Sequence, residues 1–161
     1  METSLLKGKK VLIVDDEPDV LETLEELLSE CDLKKASTFQ EAKALLEKEP
    51  FEIAVLDIMG VDGYKLLDIA KERKVIPVML TAHALSPDHT IRSYKRGAAL
   101  YIPKDRIANI TDYLEDVLHA IKAGKSTWWR WLERFGSYYD KKFEQDWKSK
   151  DKEFWRSFPY T

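Results

Sequence analysis

The residues best suited to chemistry are polar groups that end apolar runs of the chain. Asp15 and Asp16 follow "VLIV", and Asp57 ends "FEIAVLD". A hydroxyl, Thr81, ends "IPVMLT", and an ammonium group, Lys104, follows "ALYIP". Adjacent carboxylates repel each other and are costly to desolvate unless a cation meets them. Carboxylates that can hold Mg²⁺ or Mn²⁺, with a lysine beside them, suit nucleophilic attack by a carboxylate on phosphorus.

The elements that must position these groups alternate along the first 124 residues. Short apolar runs are each followed by an amphipathic stretch, and this pattern occurs five times. It predicts an α/β fold with a five-stranded parallel sheet that has helices on both faces. Asp105 is expected to cap a last helix of about 18 residues. Because ligands of such sheets bind at the carboxyl ends of the strands, the polar groups named above are expected to share one edge.

The motifs "VLIVDDEP", "VLDIM" with "DGY", "PVMLTA" and "YIPK" occur in this order. Over residues 8–124 the sequence resembles the receiver domain of two-component response regulators. The resemblance implies a doubly wound, CheY-like sheet of strand order 2-1-3-4-5. It also implies Mg²⁺-dependent phosphorelay signalling, in which a histidine kinase or a phosphotransfer protein supplies the phosphoryl group. Such a protein is not a conventional enzyme, because it acts only in its own phosphorylation and dephosphorylation.

The resemblance also implies a role for each residue of the site. Asp57 is expected to be the phosphoacceptor, with Thr81 and Lys104 facing the phosphoryl group. Thr81 and Tyr101 are expected to form the switch pair. The expected metal ligands are Asp15, Asp16, Asp57 and the backbone carbonyl of Met59.

The sequence departs from the family pattern at two places. The segment "DIMGVDG" is about two residues shorter than usual, which shortens the loop that carries Met59. We expect Gly60 to allow a tighter turn by adopting a positive φ angle. The second departure is Asp105, which follows Lys104 where the family usually has a proline. A cis peptide bond before a non-proline residue costs roughly 2.5–4 kcal/mol, so we expect a trans bond there.

The composition limits the classes of protein that are compatible with the sequence. The chain has 161 residues, 44% of them hydrophobic, and a net charge of -3, which argues against generic nucleic-acid binding. Its single cysteine, Cys31, cannot form an internal disulfide, and no apolar run reaches 18 residues. We expect a cytoplasmic protein. His83, His89 and His119 are interpreted as surface residues rather than metal ligands.

Residues 125–161 differ from the rest of the chain in composition. They contain all five tryptophans, twelve aromatic residues in total, and a net charge of +3. We therefore predict a receiver domain over 1–124 and an aromatic, helical extension over 125–161. Its apolar stripe is expected to pack on its own receiver, to form a homodimer or bind a downstream protein, or to contact a membrane surface or single-stranded nucleic acid. Membrane contact is the less favoured interpretation, and the extension is too short for a winged-helix reader of double-stranded DNA.

Two functions of other classes compete with phosphorelay signalling. The first is a receiver-like scaffold or dimerisation protein that never turns over phosphate and acts through its aromatic extension. The second is a small Mg²⁺-dependent phosphatase or phosphotransferase. The haloacid-dehalogenase family has a second aspartate two residues after its nucleophile, and "VDDEP" lacks that spacing.

Overall fold

The computed structural model describes residues 4–81 and 87–128. They form a five-stranded, fully parallel sheet of order β2-β1-β3-β4-β5, which confirms the expected CheY-like order. The strands are β1 (Lys10–Val14), β2 (Asp32–Ala36), β3 (Ile53–Asp57), β4 (Ile76–Thr81) and β5 (Leu100–Pro103). The predicted helices over 129–161, like Ala82 and His83, lie outside the described residues.

Within the described residues, five α-helices connect or follow the strands. They are α1 (Pro18–Leu27), α2 (Phe39–Lys48), α3 (Gly63–Glu72), α4 (Pro87–Lys95) and α5 (Ile110–Ala123). Because crossovers between parallel strands are right-handed, the change of direction after β2 places α1 on the opposite face from α2 and α3. Helix α2 begins where Thr38 accepts a hydrogen bond from the Glu41 backbone N–H. None of the helices in the described parts of the chain is long and apolar enough to cross a membrane.

The burial of each strand explains its composition. Every residue of β3 is buried, and β1 is buried from its second residue onward, so both are almost entirely apolar. Strand β2 lies at the edge of the sheet and exposes Lys34 and Lys35. Charged side chains on an edge strand oppose pairing with another chain.

The segment before β1 is held against the last helix. Leu6 is fully buried, and the carboxylate of Glu115 on α5 accepts hydrogen bonds from the backbone N–H groups of Leu5 and Leu6 and from the Ser4 hydroxyl. Burial raises the pKa of Glu115, but these hydrogen bonds outweigh it and hold the pKa below its ordinary value. Glu115 therefore holds the segment before β1 against α5.

The predicted start of the last helix was wrong. A 3₁₀ helix occupies Lys104–Asn109, and α5 begins only at Ile110, with Asn109 rather than Asp105 at its N-cap. The expected trans bond before Asp105 is confirmed, since no peptide bond of the described residues is cis.

Candidate functional site

The carboxyl edge of the sheet brings two acids and a lysine into direct contact. Asp15 directly follows β1 and is fully buried, and Asp57 is the last residue of β3, with 4% of its surface exposed. Lys104 follows β5, and its Nζ lies 2.8 Å from Asp15 Oδ2 and 3.4 Å from Asp57 Oδ1. The side chain of Lys104 is 11% exposed. One ammonium group is therefore enclosed by two buried carboxylates.

A third acid, Glu17, also contacts the lysine. Its Oε1 lies 3.2 Å from Lys104 Nζ, and its backbone N–H donates to Asp15 Oδ1 at 2.9 Å. Glu17 is the N-cap of α1, but its side chain makes no capping hydrogen bond. The only sequence signal for its contact with Lys104 was its position directly after the aspartate pair.

The pKa of Asp57 is the most perturbed in this site. Burial raises it from its ordinary value, the negative charge of Asp15 raises it further, and Lys104 opposes both, so that it reaches about 7. Burial also raises the pKa of Asp15, against hydrogen bonds from Lys104 and from the Glu17 backbone. The edge thus carries more negative charge than one lysine stabilises, which favours the binding of a further cation.

The donor atoms at this edge suit a hard divalent cation. Carboxylate oxygens of Asp15, Asp16 and Glu17 lie within 4.8 Å of one another, and Asp16 and Glu17 are exposed to solvent. Oxygen-only donors of this kind fit Mg²⁺ or Mn²⁺. The three residues are consecutive in the segment that joins β1 to α1. Asp57 is not part of this group; its side chain contacts Lys104 instead.

The short loop after Asp57 turns through glycine, as expected. Gly60 has a φ angle of +82°, and a Cβ atom there would lie 2.5 Å from Asp16 Oδ2. Gly63 begins α3, and a Cβ atom there would collide with the Asp57 carbonyl oxygen. The loop can therefore pass close to both aspartates only because these residues lack side chains. The side chain of Met59 is 57% exposed beside the site.

Thr81 and Tyr101 are both buried, on the neighbouring strands β4 and β5. Thr81 is the last residue of β4, pairs in register with Pro103 of β5, and is 5% exposed. Tyr101 pairs with Met79 and is fully buried. The ring of Tyr101 therefore points into the core in this structure.

His89, which was interpreted as a surface residue, is only partly exposed. It is half-buried between α3 and α4, and its Nδ1 lies 3.0 Å from the Tyr64 hydroxyl. The guanidinium of Arg92 lies over the same Tyr64 ring, 4.1 Å from its centroid. The tyrosine of the "DGY" motif thus holds α4 against α3. His119, in contrast, is exposed on α5, as expected.

Comparison with known proteins identifies the class to which this fold and site belong. The family model described as the response regulator receiver domain matches residues 11–115, and the chain belongs to that family. The acids, the threonine and the lysine described above all fall within the matched residues.

Two response regulators from other organisms are similar to this chain in sequence. The two-component response regulator ARR18 of Arabidopsis thaliana is 35% identical over 103 residues, which are 60% of this chain and 16% of that protein. The response regulator protein PilR of Pseudomonas aeruginosa is 38% identical over 105 residues, covering 62% of this chain and 23% of that protein. The chain thus matches less than a quarter of the length of these relatives.

Solved structures show the same fold. The CheY-like receiver domain protein of Methanospirillum hungatei JF-1 superposes with a TM-score of 0.58 at 28% identity, covering 70% of this chain and 98% of that one. A response regulator of Thermotoga maritima superposes with a TM-score of 0.63 at 22% identity and with the same coverage. The second likeness concerns the fold alone.

Proposed function

We propose that the protein is a response regulator that accepts a phosphoryl group on Asp57 and passes the signal on through protein contacts. The observation that carries this proposal is the position of Lys104, whose ammonium group lies within 3.4 Å of both Asp15 and Asp57. An anionic phosphoryl donor can approach a carboxylate only where positive charge is fixed beside it. This edge of the sheet has that property.

In the proposed reaction, an oxygen of the ionised Asp57 carboxylate attacks phosphorus. A phosphorus–oxygen bond to Asp57 forms, the bond to the donor breaks, and the leaving group departs with its electron pair. Lys104 stabilises negative charge on the phosphoryl oxygens, and Thr81, at the end of β4, donates its hydroxyl hydrogen to one of them. The product is an acyl phosphate. Attack by water on phosphorus then breaks the bond to Asp57, releases inorganic phosphate and regenerates the carboxylate. Catalysis is limited to these two self-directed reactions.

The proposed metal is Mg²⁺ or Mn²⁺, which when bound supplies positive charge against the phosphoryl oxygens. Asp15, Asp16 and Asp57 would hold it, together with the backbone carbonyl of Met59. The carboxylate group of Asp15, Asp16 and Glu17 supports this assignment, because these oxygens already lie close together. Glu17 would then add negative charge at the rim of the metal site.

The proposed partners follow from the family. A histidine kinase or a phosphotransfer protein would supply the phosphoryl group in the cytoplasm. The output would pass through residues 125–161, an extension to the receiver domain over 1–124. In this proposal the extension's aromatic residues provide the contacts, either with a second copy or with a downstream protein.

Transfer from a phosphorylated protein donor tests this function. A histidine kinase is autophosphorylated with labelled ATP, freed of nucleotide, and mixed with the wild-type chain or with Asp57→Asn. The proposal predicts that label moves to the wild type only. If neither phosphorylated kinases nor phosphotransfer proteins label the wild type, and acetyl phosphate does not either, the chain acts as a phosphorylation-independent scaffold.

A further inference from the structure

An open groove lies at the edge of the sheet opposite the acidic site. Its volume is about 330 Å³, and it lies beside the first residues of β4 and the turn between α4 and β5. Within the described residues, Ile121 in the groove is one of two large hydrophobic side chains that are exposed, and its exposed fraction is 48%. The apolar lining of the groove is Val75, Ile76, Pro77, Ala98, Ala99 and Ile121.

The described chain ends on the wall of this groove. Thr127 lines it, and the next residue, Trp128, is only 2% exposed. The Trp128 indole N–H donates to the Ala98 carbonyl at 2.8 Å, and the ring meets Tyr94 of α4 edge-to-face at 5.4 Å between centroids. Trp128 is thus fixed to the core four residues beyond α5's C-cap, Gly124.

We propose that the groove binds residues 129–132 of the same chain, whose sequence is "WRWL". Each residue extends the chain by at most roughly 3.3–3.6 Å, so these residues reach the groove directly from Trp128 without a linker. A segment tethered at the wall of its own site has an effective concentration that a second copy reaches only at about millimolar protein concentrations. At lower protein concentrations, residues 129–132 are therefore expected to occupy the groove of their own receiver rather than that of a second copy.

The rim of the groove suits an aromatic occupant. Lys71 and Lys74 line it, and both are exposed. The Lys71 side chain lies along Gly97, where a Cβ atom would collide with Nζ. Lysine side chains of this kind offer apolar stems for packing and ammonium groups that attract the face of an indole ring. An apolar floor with a cationic rim thus complements Trp129 and Trp131.

The test uses the full chain with one reporter thiol, in which Cys31→Ser removes the natural cysteine and Ile121→Cys places a new one in the groove. The rate at which a small alkylating reagent labels this thiol measures its accessibility. The docked extension predicts that replacing Trp129 and Trp131 with serine raises the rate at least about tenfold. Trp131→Ser alone is expected to raise it by a smaller factor, and circular dichroism checks that each variant folds.

The matched control replaces Trp147 and Trp155 with serine, and the proposal predicts an unchanged labelling rate. Equal rates in the wild-type and Trp129/Trp131 backgrounds would overturn the proposal, as would a control that accelerates labelling equally. An alkylation rate of the wild-type reporter that rises when the protein is diluted would also overturn the proposal, because the occupant of the groove would then be a second copy. Since no readout involves phosphorylation, these outcomes do not depend on whether Asp57 accepts phosphate.

Discussion

The ammonium group of Lys104 lies closer to Asp15 than to Asp57, at 2.8 Å against 3.4 Å. Asp15 is fully buried, so this contact stabilises a carboxylate that would otherwise be costly to keep ionised. The same ammonium group contacts Glu17 at the surface. Lys104 is therefore shared among three acids, and a phosphoryl group on Asp57 would compete with Asp15 for it.

Removing the positive charge of Lys104 is expected to slow phosphorylation strongly. For Lys104→Met we predict a rate of phosphoryl uptake from acetyl phosphate that is about 10²-fold lower, because charge on the phosphoryl oxygens loses its fixed partner. Lys35→Met is the matched control, because Lys35 lies on the exposed edge strand β2 and pairs with Glu25 of α1. An uptake rate for Lys104→Met within twofold of this control would show that Lys104 does not act on the phosphoryl group.

The turn at Gly60 is expected to be required for metal binding. In Gly60→Ala the new methyl group meets the Asp16 carboxylate, and we predict a dissociation constant for Mn²⁺ about tenfold higher by electron paramagnetic resonance. Gly8→Ala is the control, because Gly8 also has a positive φ angle but has no atom within 4 Å of the place that a methyl group would occupy. Both variants lose about 1–2 kcal/mol of stability from backbone strain. Equal Mn²⁺ affinity in the two would contradict the role of the turn.

The raised pKa of Asp57 predicts that the acidic edge destabilises the metal-free fold at neutral and alkaline pH. The folded-state pKa of about 7 exceeds the ordinary value of 3.8, so the stabilising contribution of the protonated group is lost as pH rises through this window. We expect Asp57→Asn to raise the free energy of unfolding by about 2–4 kcal/mol at pH 8, and much less at pH 4. Urea unfolding in EDTA measures both values.

An Asp57→Asn effect of the same size at pH 4 and pH 8 would mean that ionisation is not its cause. Adding Mg²⁺ at pH 8 provides a second check. The cation binds the ionised site, so it should stabilise the wild type more than Asp57→Asn.

Glu115 should contribute to stability in the opposite pH range. Its pKa is lowered in the fold, so its contribution is present above the ordinary value of 4.5 and is lost as pH falls through the folded-state value. We predict that Glu115→Ala lowers the free energy of unfolding at pH 7 by about 1–2 kcal/mol, because Ser4, Leu5 and Leu6 lose their acceptor. Asp112→Ala, an exposed acid on the same helix, is the control. A loss no larger than in this control would show that the N-terminal anchor is unimportant.

The placement of the site could be predicted because it depends on where the strands end. The apolar runs before Asp15 and Asp57, and before Lys104, fix the ends of β1, β3 and β5, and parallel pairing then brings these ends to one edge. The positive φ angle of Gly60 could also be predicted, since a shortened loop has few other ways to turn.

Other features depend on tertiary contacts that the sequence pattern does not contain. The side chain of Lys104 is long enough to reach several acids, so its contact with Glu17 appears only in three dimensions. Asp105 is a residue type that commonly caps helices, but here it lies within the 3₁₀ helix Lys104–Asn109, so the beginning of α5 was misplaced. The burial of His89 depends on how α4 packs on α3, and the burial of Trp128 on where the chain goes after α5.

In the proposed function, Asp57 accepts a phosphoryl group at a site that requires a divalent cation. Intact mass after incubation with acetyl phosphate and Mg²⁺ tests it most directly, beside Asp57→Asn and a sample in EDTA. We predict the mass of one added phosphoryl group in the wild type with Mg²⁺ only. An unchanged wild-type mass despite measurable Mg²⁺ binding, or an equal gain in Asp57→Asn, would contradict it.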